Sequence, residues 1–183
     1  LRFTKQGYLP EFIQKRQSND GSAHLFTLIY KFYSPVTHYI YIIHADYHQE
    51  DVFAIKFYAK PHRQSEYKYS KLTNKGDVSN ILTTCLNVIP LILVDYPEAS
   101  FGFIGSRTID TASRTVEDYR NTQRFRVYKE MVEQKIGHVT FQHFTYEQIS
   151  GYLLVNRSTA NIQSKERLLV KMFDATYNNL LEL

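Results

Sequence analysis

The sequence predicts an α+β fold: a mostly antiparallel, twisted sheet with two or three helices packed on it. Two observations carry this. In the first third of the chain, runs rich in β-branched and aromatic residues follow one another at hairpin-length links. From Val78 onward, Val78, Ile81, Leu82, Cys85, Val88, Ile89 and Ile92 recur at three- and four-residue steps, the spacing of one face of a helix, over a stretch too long for a strand.

Taken in order, residues 1–22 mix Gly7, Pro10 and the polar run Gln17-Ser18-Asn19-Asp20-Gly21, and read as an extended N-terminal arm or short helix followed by a turn. Leu25 to Tyr33 and Tyr39 to Tyr47 read as strands joined by a turn at Ser34-Pro35. Val52 to Lys60 alternates, with Phe53, Ile55, Phe57 and Ala59 on one face and Lys56, Tyr58 and Lys60 on the other. Tyr67 to Leu72 reads as a fourth strand. Asp77 precedes the long apolar helix as an N-cap able to accept from the free amides of its first turn. Pro90 lacks a backbone donor and predicts a kink or a helix in two parts, and Pro97 ends the element.

Phe101 to Ile104 then reads as a strand closing on Gly105-Ser106-Arg107-Thr108. A polar connection, Ile109 to Glu117, leads to a second helix from about Asp118 to Gln134, with Phe125, Tyr128, Met131 and Val132 as its apolar stripe and Gly137 as its C-cap. Val139 to Phe144 and Tyr152 to Asn156 read as the last strands. Within the C-terminal segment 157–183, Ile162 to Leu181 reads as a third helix, with Leu169, Met172, Phe173 and Leu180 on one side.

A length of 183 residues with 43% hydrophobic and 22% charged residues suits one ordinary globular domain. The net charge of +4 permits an acidic partner without requiring one. Cys85 is the single cysteine, which excludes an internal disulfide, and its place on the apolar face reads as a small buried hydrophobe. Leu1 to Lys15 lacks the basic-then-apolar pattern of a signal peptide, and Leu86 to Val94 is too short and proline-broken to span a bilayer. The expectation is a cytoplasmic protein with no membrane partner.

Four groups of residues could carry chemistry. Gly105, Ser106, Arg107, Arg124 and Tyr128 could form an anion pocket, in which a glycine after a strand admits a ligand and Arg124 clamps a phosphate or carboxylate; equally, Arg124 could tie its helix to the strand end while Tyr128 packs in the core. His44, Asp46 and His48 share a strand face as metal ligands would, but they adjoin a polar hairpin turn and lack an evident fourth ligand, so no metal is assigned. Lys56, Tyr58 and Lys60, continuing through His62, Arg63, Tyr67, Lys68, Tyr69, Lys71 and Lys75, alternate cations with aromatic rings as a single-strand-binding sheet would, and also as a solvated strand face would. The apolar stripe of the C-terminal helix would mark a protein interface if uncovered.

With Asn74-Lys75-Gly76-Asp77 opening the central helix, Gly105-Ser106 closing the next strand and Asn121-Thr122-Gln123-Arg124-Phe125-Arg126-Val127-Tyr128-Lys129 opening the next helix, the chain resembles a family of short uncharacterised bacterial proteins. More distantly, the order of elements between Leu25 and Asn156 is similar to the second half of the GNAT acyltransferase fold. That resemblance implies acetyl-CoA, whose pyrophosphate such enzymes hold on an Arg/Gln-x-x-Gly-x-Gly/Ala loop at the start of the central helix. Here the place reads Thr73-Asn74-Lys75-Gly76-Asp77: the glycine pair is missing and Asp77 sets a negative charge beside the phosphates. The expectation is therefore a domain without a cofactor, a degenerate acyltransferase-like module acting through a protein or nucleic-acid partner, as in bacterial toxin or defence systems. The alternative is an atypical acyltransferase or nucleotide-handling enzyme using Ser106, Arg124 and Tyr128.

Overall fold

The computed structural model describes residues 6–70, 76–105, 109–110 and 114–177. Strands β1 (Glu11–Gln17), β2 (His24–Ser34), β3 (Tyr39–His48) and β4 (Val52–Ala59) precede helices α1 (Val78–Leu86) and α2 (Val88–Asp95). Then come β5 (Ser100–Ile104), the short pair β6 (Ile109–Asp110) and β7 (Thr115–Val116), α3 (Gln123–Lys135), β8 (Phe141–Tyr146), β9 (Gly151–Asn156) and α4 (Ile162–Thr176). Seven strands make one open sheet in the order β1-β2-β3-β4-β5-β9-β8. Every pair in it is antiparallel except β4 with β5, so the predicted α+β class and mostly antiparallel sheet are what the chain adopts.

Two-residue alternation sorts the side chains. One face of the sheet buries Phe26, Tyr41, Ile43, Phe53 and Phe101 against Leu82, Cys85 and Ile89 of α1 and α2 and against Tyr128, Met131 and Val132 of α3. Each large apolar side chain removed from water contributes about 1.5–3 kcal/mol, so this cluster is the main source of stability. On the opposite face α4 lays Leu169, Met172 and Phe173 on Val52, Leu153 and Val155. The terminal helix thus spends its predicted stripe within the fold; Leu180 lies outside the described residues.

The central apolar segment is a helix in two parts, as Pro90 predicts, but the break falls at Asn87. A proline ring presses on the carbonyl four residues back, which here belongs to Leu86, the last residue of α1. The combined 18 residues Val78–Asp95 are apolar enough to pass for a membrane span, yet half of that stretch is buried in the fold, as in a core helix.

Several expectations are corrected. The N-terminal arm contains an edge strand, β1, paired with β2 from Glu11↔Lys31 to Gln17↔Phe26. All seven of its residues are exposed, so no apolar period marks it. Tyr67–Ser70 is not a strand: its backbone closes local turns, with Lys68 N–H donating to the Ser65 carbonyl and Ser70 N–H to that of Tyr67. Leu72 lies outside the described residues. The connection from Ile109 holds the β6–β7 hairpin. Helix α3 starts at Gln123 rather than near Asp118, because the Thr122 hydroxyl caps it by accepting from Phe125 N–H, and Asn121, at φ 47°, is left-handed. Asp77 makes no side-chain cap bond to α1.

The parallel pair β4–β5 runs only from Val52–Ser100 to Ala54–Gly102. Beyond it the two strands diverge, β4 towards Ala59 and β5 towards Ile104, and open a cleft between them.

Candidate functional site

Cross-strand register assembles the candidate site on the sheet face that carries α4. Arg16, Thr27, Asp46 and Ala54 stand in one row across β1 to β4, and Gln14, Ile29, His44 and Lys56 in the next. A third row runs Glu11, Lys31, Ile42 and Tyr58. Helix α4 packs on β9 and the start of β4 and reaches β3 at His48, whose Nε2 accepts from the Tyr177 hydroxyl at 2.6 Å. Among the described residues the β1–β4 part of this face is otherwise covered by side chains and by the turns of residues 60–70.

At its centre Asp46 is almost fully buried and accepts from the Thr27 hydroxyl at 2.6 Å and the Lys56 ammonium at 2.6 Å, with His24 Nε2 3.7 Å away. Burial alone would push the Asp46 carboxyl up; Lys56 and the Thr27 hydrogen bond outweigh it and hold the group below the usual carboxylate range. His44 and His48 are both pushed down to about 4, chiefly by burial, and are neutral at pH 7. His48 Nδ1–H donates to the Asp46 carbonyl at 2.8 Å, which leaves Nε2 as the acceptor for Tyr177. The three residues that shared a metal-like spacing thus serve a hydrogen-bonded network, and no group of three or more His, Cys, Asp or Glu among the described residues could hold a metal ion.

Around this network lies a basic and aromatic surface. Lys68 Nζ sits 4.8 Å from the Tyr58 ring centroid and 5.1 Å from that of Tyr69, and Lys56 Nζ is 5.1 Å from the Tyr69 ring. The Tyr58 and Tyr69 rings meet edge to face at 5.6 Å. Arg16 bears electrostatically on His44, Tyr58 and Tyr69 from the edge strand. Lys60 stands exposed in the short helical turn Lys60–His62 beyond β4. Of the sequence-predicted cations, Lys56 is therefore already paired, while Arg16, which no motif marked, stands on the same face at the edge strand, in the row of Thr27 and Asp46.

The predicted anion pocket is brought together in part; Ser106 and Arg107 lie outside the described residues. Gly105 abuts α3, where an added Cβ would come within 2.6–2.8 Å of Phe125 Cβ, N and Cα. Its N–H donates to the Ser150 carbonyl and its own carbonyl accepts from the Thr122 hydroxyl. The missing side chain here serves the strand-to-helix contact. Arg124 is half-buried over the Phe57 ring, donates to the Tyr69 carbonyl, and has its pKa lowered by desolvation of the guanidinium. Tyr128, one turn on, packs on Phe103 with its hydroxyl pKa raised by burial.

At the start of α1, Asp77 is buried and accepts from the Tyr8 hydroxyl at 2.7 Å, the Ser34 hydroxyl at 2.5 Å and the Asn80 amide at 2.8 Å. Tyr8 reaches it because Gly7, at φ 72°, turns the N-terminal segment onto α1, where Tyr8 N–H donates to Thr84 Oγ1. The sequence marks Asp77 but not its partners, of which Asn80 lies in α1, Ser34 in β2 and Tyr8 in a segment without periodicity. No family model, curated protein or solved structure matches this chain.

Proposed function

We propose that this chain is a non-catalytic binding domain on a GNAT-like order of elements, a degenerate acyltransferase-like module that holds single-stranded nucleic acid on the basic and aromatic surface formed by β4 and the turns of residues 60–70. The observation that carries the reading is the placing of Lys68 over the Tyr58 and Tyr69 rings and of Lys56 over the Tyr69 ring, with Arg16 on the same sheet face at the edge strand. Cations track phosphates and tyrosine rings stack bases without regard to sequence.

The GNAT-like order is supported by four antiparallel strands, a central helix, a parallel strand, a helix and a returning strand pair. Against acetyl-CoA stand the buried Asp77 carboxylate at the start of α1 and the engagement of Arg124 by the protein's own backbone. Anisotropy of a labelled single-stranded oligonucleotide tests the proposal: binding should weaken as salt rises and in Arg16→Ala/Lys68→Ala. No binding at low salt, or a thermal shift with acetyl-CoA that disappears in Arg124→Ala, would overturn it.

A further inference from the structure

Strand β1 stands at one end of the sheet order and, among the described residues, pairs on one side only, with β2. Beyond its bulge at Ile13, the Ser18 N–H donates to the Leu25 carbonyl. Gln14 and Arg16, at even steps from Ser18, therefore turn their backbone groups to β2, while Lys15 and Gln17 turn theirs outward. Such a row of unpaired donors and acceptors is a template for another strand. Lysines and a bulge can also keep an edge apart, but this edge carries Phe12 and Ile13, both exposed, where a guarded one would carry charge.

The apolar surface continues onto α2. Asn87 Nδ2 donates to the Gln6 carbonyl at 3.2 Å and Lys15 Nζ to the Tyr96 hydroxyl at 3.4 Å, so the segment from Gln6 to Lys15 runs alongside α2 from one end to the other. Leu91 and Val94 follow Asn87 at steps of four and three, on the helix side turned towards that segment. Leu91 is exposed, as are Val94 at 79% and Phe12 at 53%. Val88, Ile89 and Ile92 of the same helix are buried in the core, so the fold itself leaves this side uncovered.

Charge selects the occupant. Register sets Glu11 opposite Lys31 and Arg16 opposite Thr27, which puts Glu11 and Arg16 on one sheet face at opposite ends of β1. A second copy laid antiparallel on this edge brings Glu11 of each chain to Arg16 of the other, twice. A parallel copy would set like charges side by side.

We propose that two copies of this chain pair antiparallel through β1, joining their sheets edge to edge about a twofold axis and burying Phe12, Leu91 and Val94 between them. Glu11 also meets Lys31 at 3.3 Å. One carboxylate cannot neutralise both Lys31 and Arg16, so the basic surface keeps its excess charge. The nucleic-acid reading is not needed for this inference, and either can fail alone.

Sedimentation equilibrium of the intact chain, without nucleic acid, tests it. The parent should be a dimer at tens of micromolar. Glu11→Arg and Val94→Lys should each weaken association roughly tenfold, and Glu11→Arg/Arg16→Glu should recover most of the loss, while thermal melts report an intact fold. A parent that stays monomeric at hundreds of micromolar would overturn the proposal. So would a dimer untouched by Glu11→Arg and Val94→Lys, or a double variant that associates no better than Glu11→Arg.

Discussion

Replacing Lys56 by Met removes the cation 2.6 Å from Asp46 while keeping the length of the side chain over the sheet. Removing one partner of a fully buried ion pair costs about 3–5 kcal/mol, because the remaining charge is left without compensation. Two features reduce the figure here. The Lys56 side chain is 38% exposed, so water can enter where it stood, and the Thr27 hydroxyl still donates to the carboxylate. A loss of about 2–3 kcal/mol at pH 7 is expected, read from the urea midpoint at unchanged slope. Asp46→Asn/Lys56→Met should recover part of it, since no buried charge then remains. If Lys56→Met melts like the parent, Asp46 is not held by Lys56, and the reading of this network is wrong. The same reasoning makes Lys56 a poor probe of nucleic-acid binding, because its loss would disturb the fold as well as the surface; Arg16 and Lys68 are the cleaner choices.

Gly105→Ala should destabilise the chain by about 1–3 kcal/mol in chemical denaturation, because its Cβ would meet Phe125 backbone atoms at 2.7–2.8 Å; a neutral substitution would show that α3 shifts freely. Asp77→Ala should cost about 2–4 kcal/mol by leaving the Tyr8, Ser34 and Asn80 donors without their acceptor, and Tyr8→Phe should cost less. Stability should fall as pH drops from 6.5 towards 4, because His44 and His48, held down to about 4, bind protons in the unfolded chain first. Each contributes on the order of 2–3 kcal/mol across that window, and the lowered Asp46 adds loss in the same direction as pH falls further. Urea midpoints that stay level between pH 7 and pH 4.5 would contradict the buried neutral state of both histidines.

Periodicity revealed much of the fold. Alternation placed Phe53, Ile55 and Phe57 on the core side of β4, and the three- and four-residue spacing in α3 named all four of its buried apolar residues. Strand β1 escaped because an exposed edge buries nothing that could impose a period. Tyr67–Ser70 was misleading because alternating Tyr and Lys suit a strand, whereas its backbone bonds are local. The site was less legible. Alternation does put His44, Asp46 and Lys56 on faces that can meet, but only the β3–β4 register decides that Asp46 receives Lys56. Arg16, Tyr177 and Tyr8 come from segments distant in sequence, and no local spacing could have joined them to Tyr58, His48 or Asp77.

The most direct measurement is the affinity for a labelled single-stranded oligonucleotide as a function of salt, in the parent chain and in Arg16→Ala/Lys68→Ala. If the basic and aromatic surface holds the phosphates, log affinity should fall linearly with log salt. The double substitution should then weaken binding and make that slope shallower by about 1.4, or about 0.7 for each contact removed. Binding whose strength and salt slope are the same in both proteins, or no binding at low salt, would contradict that reading.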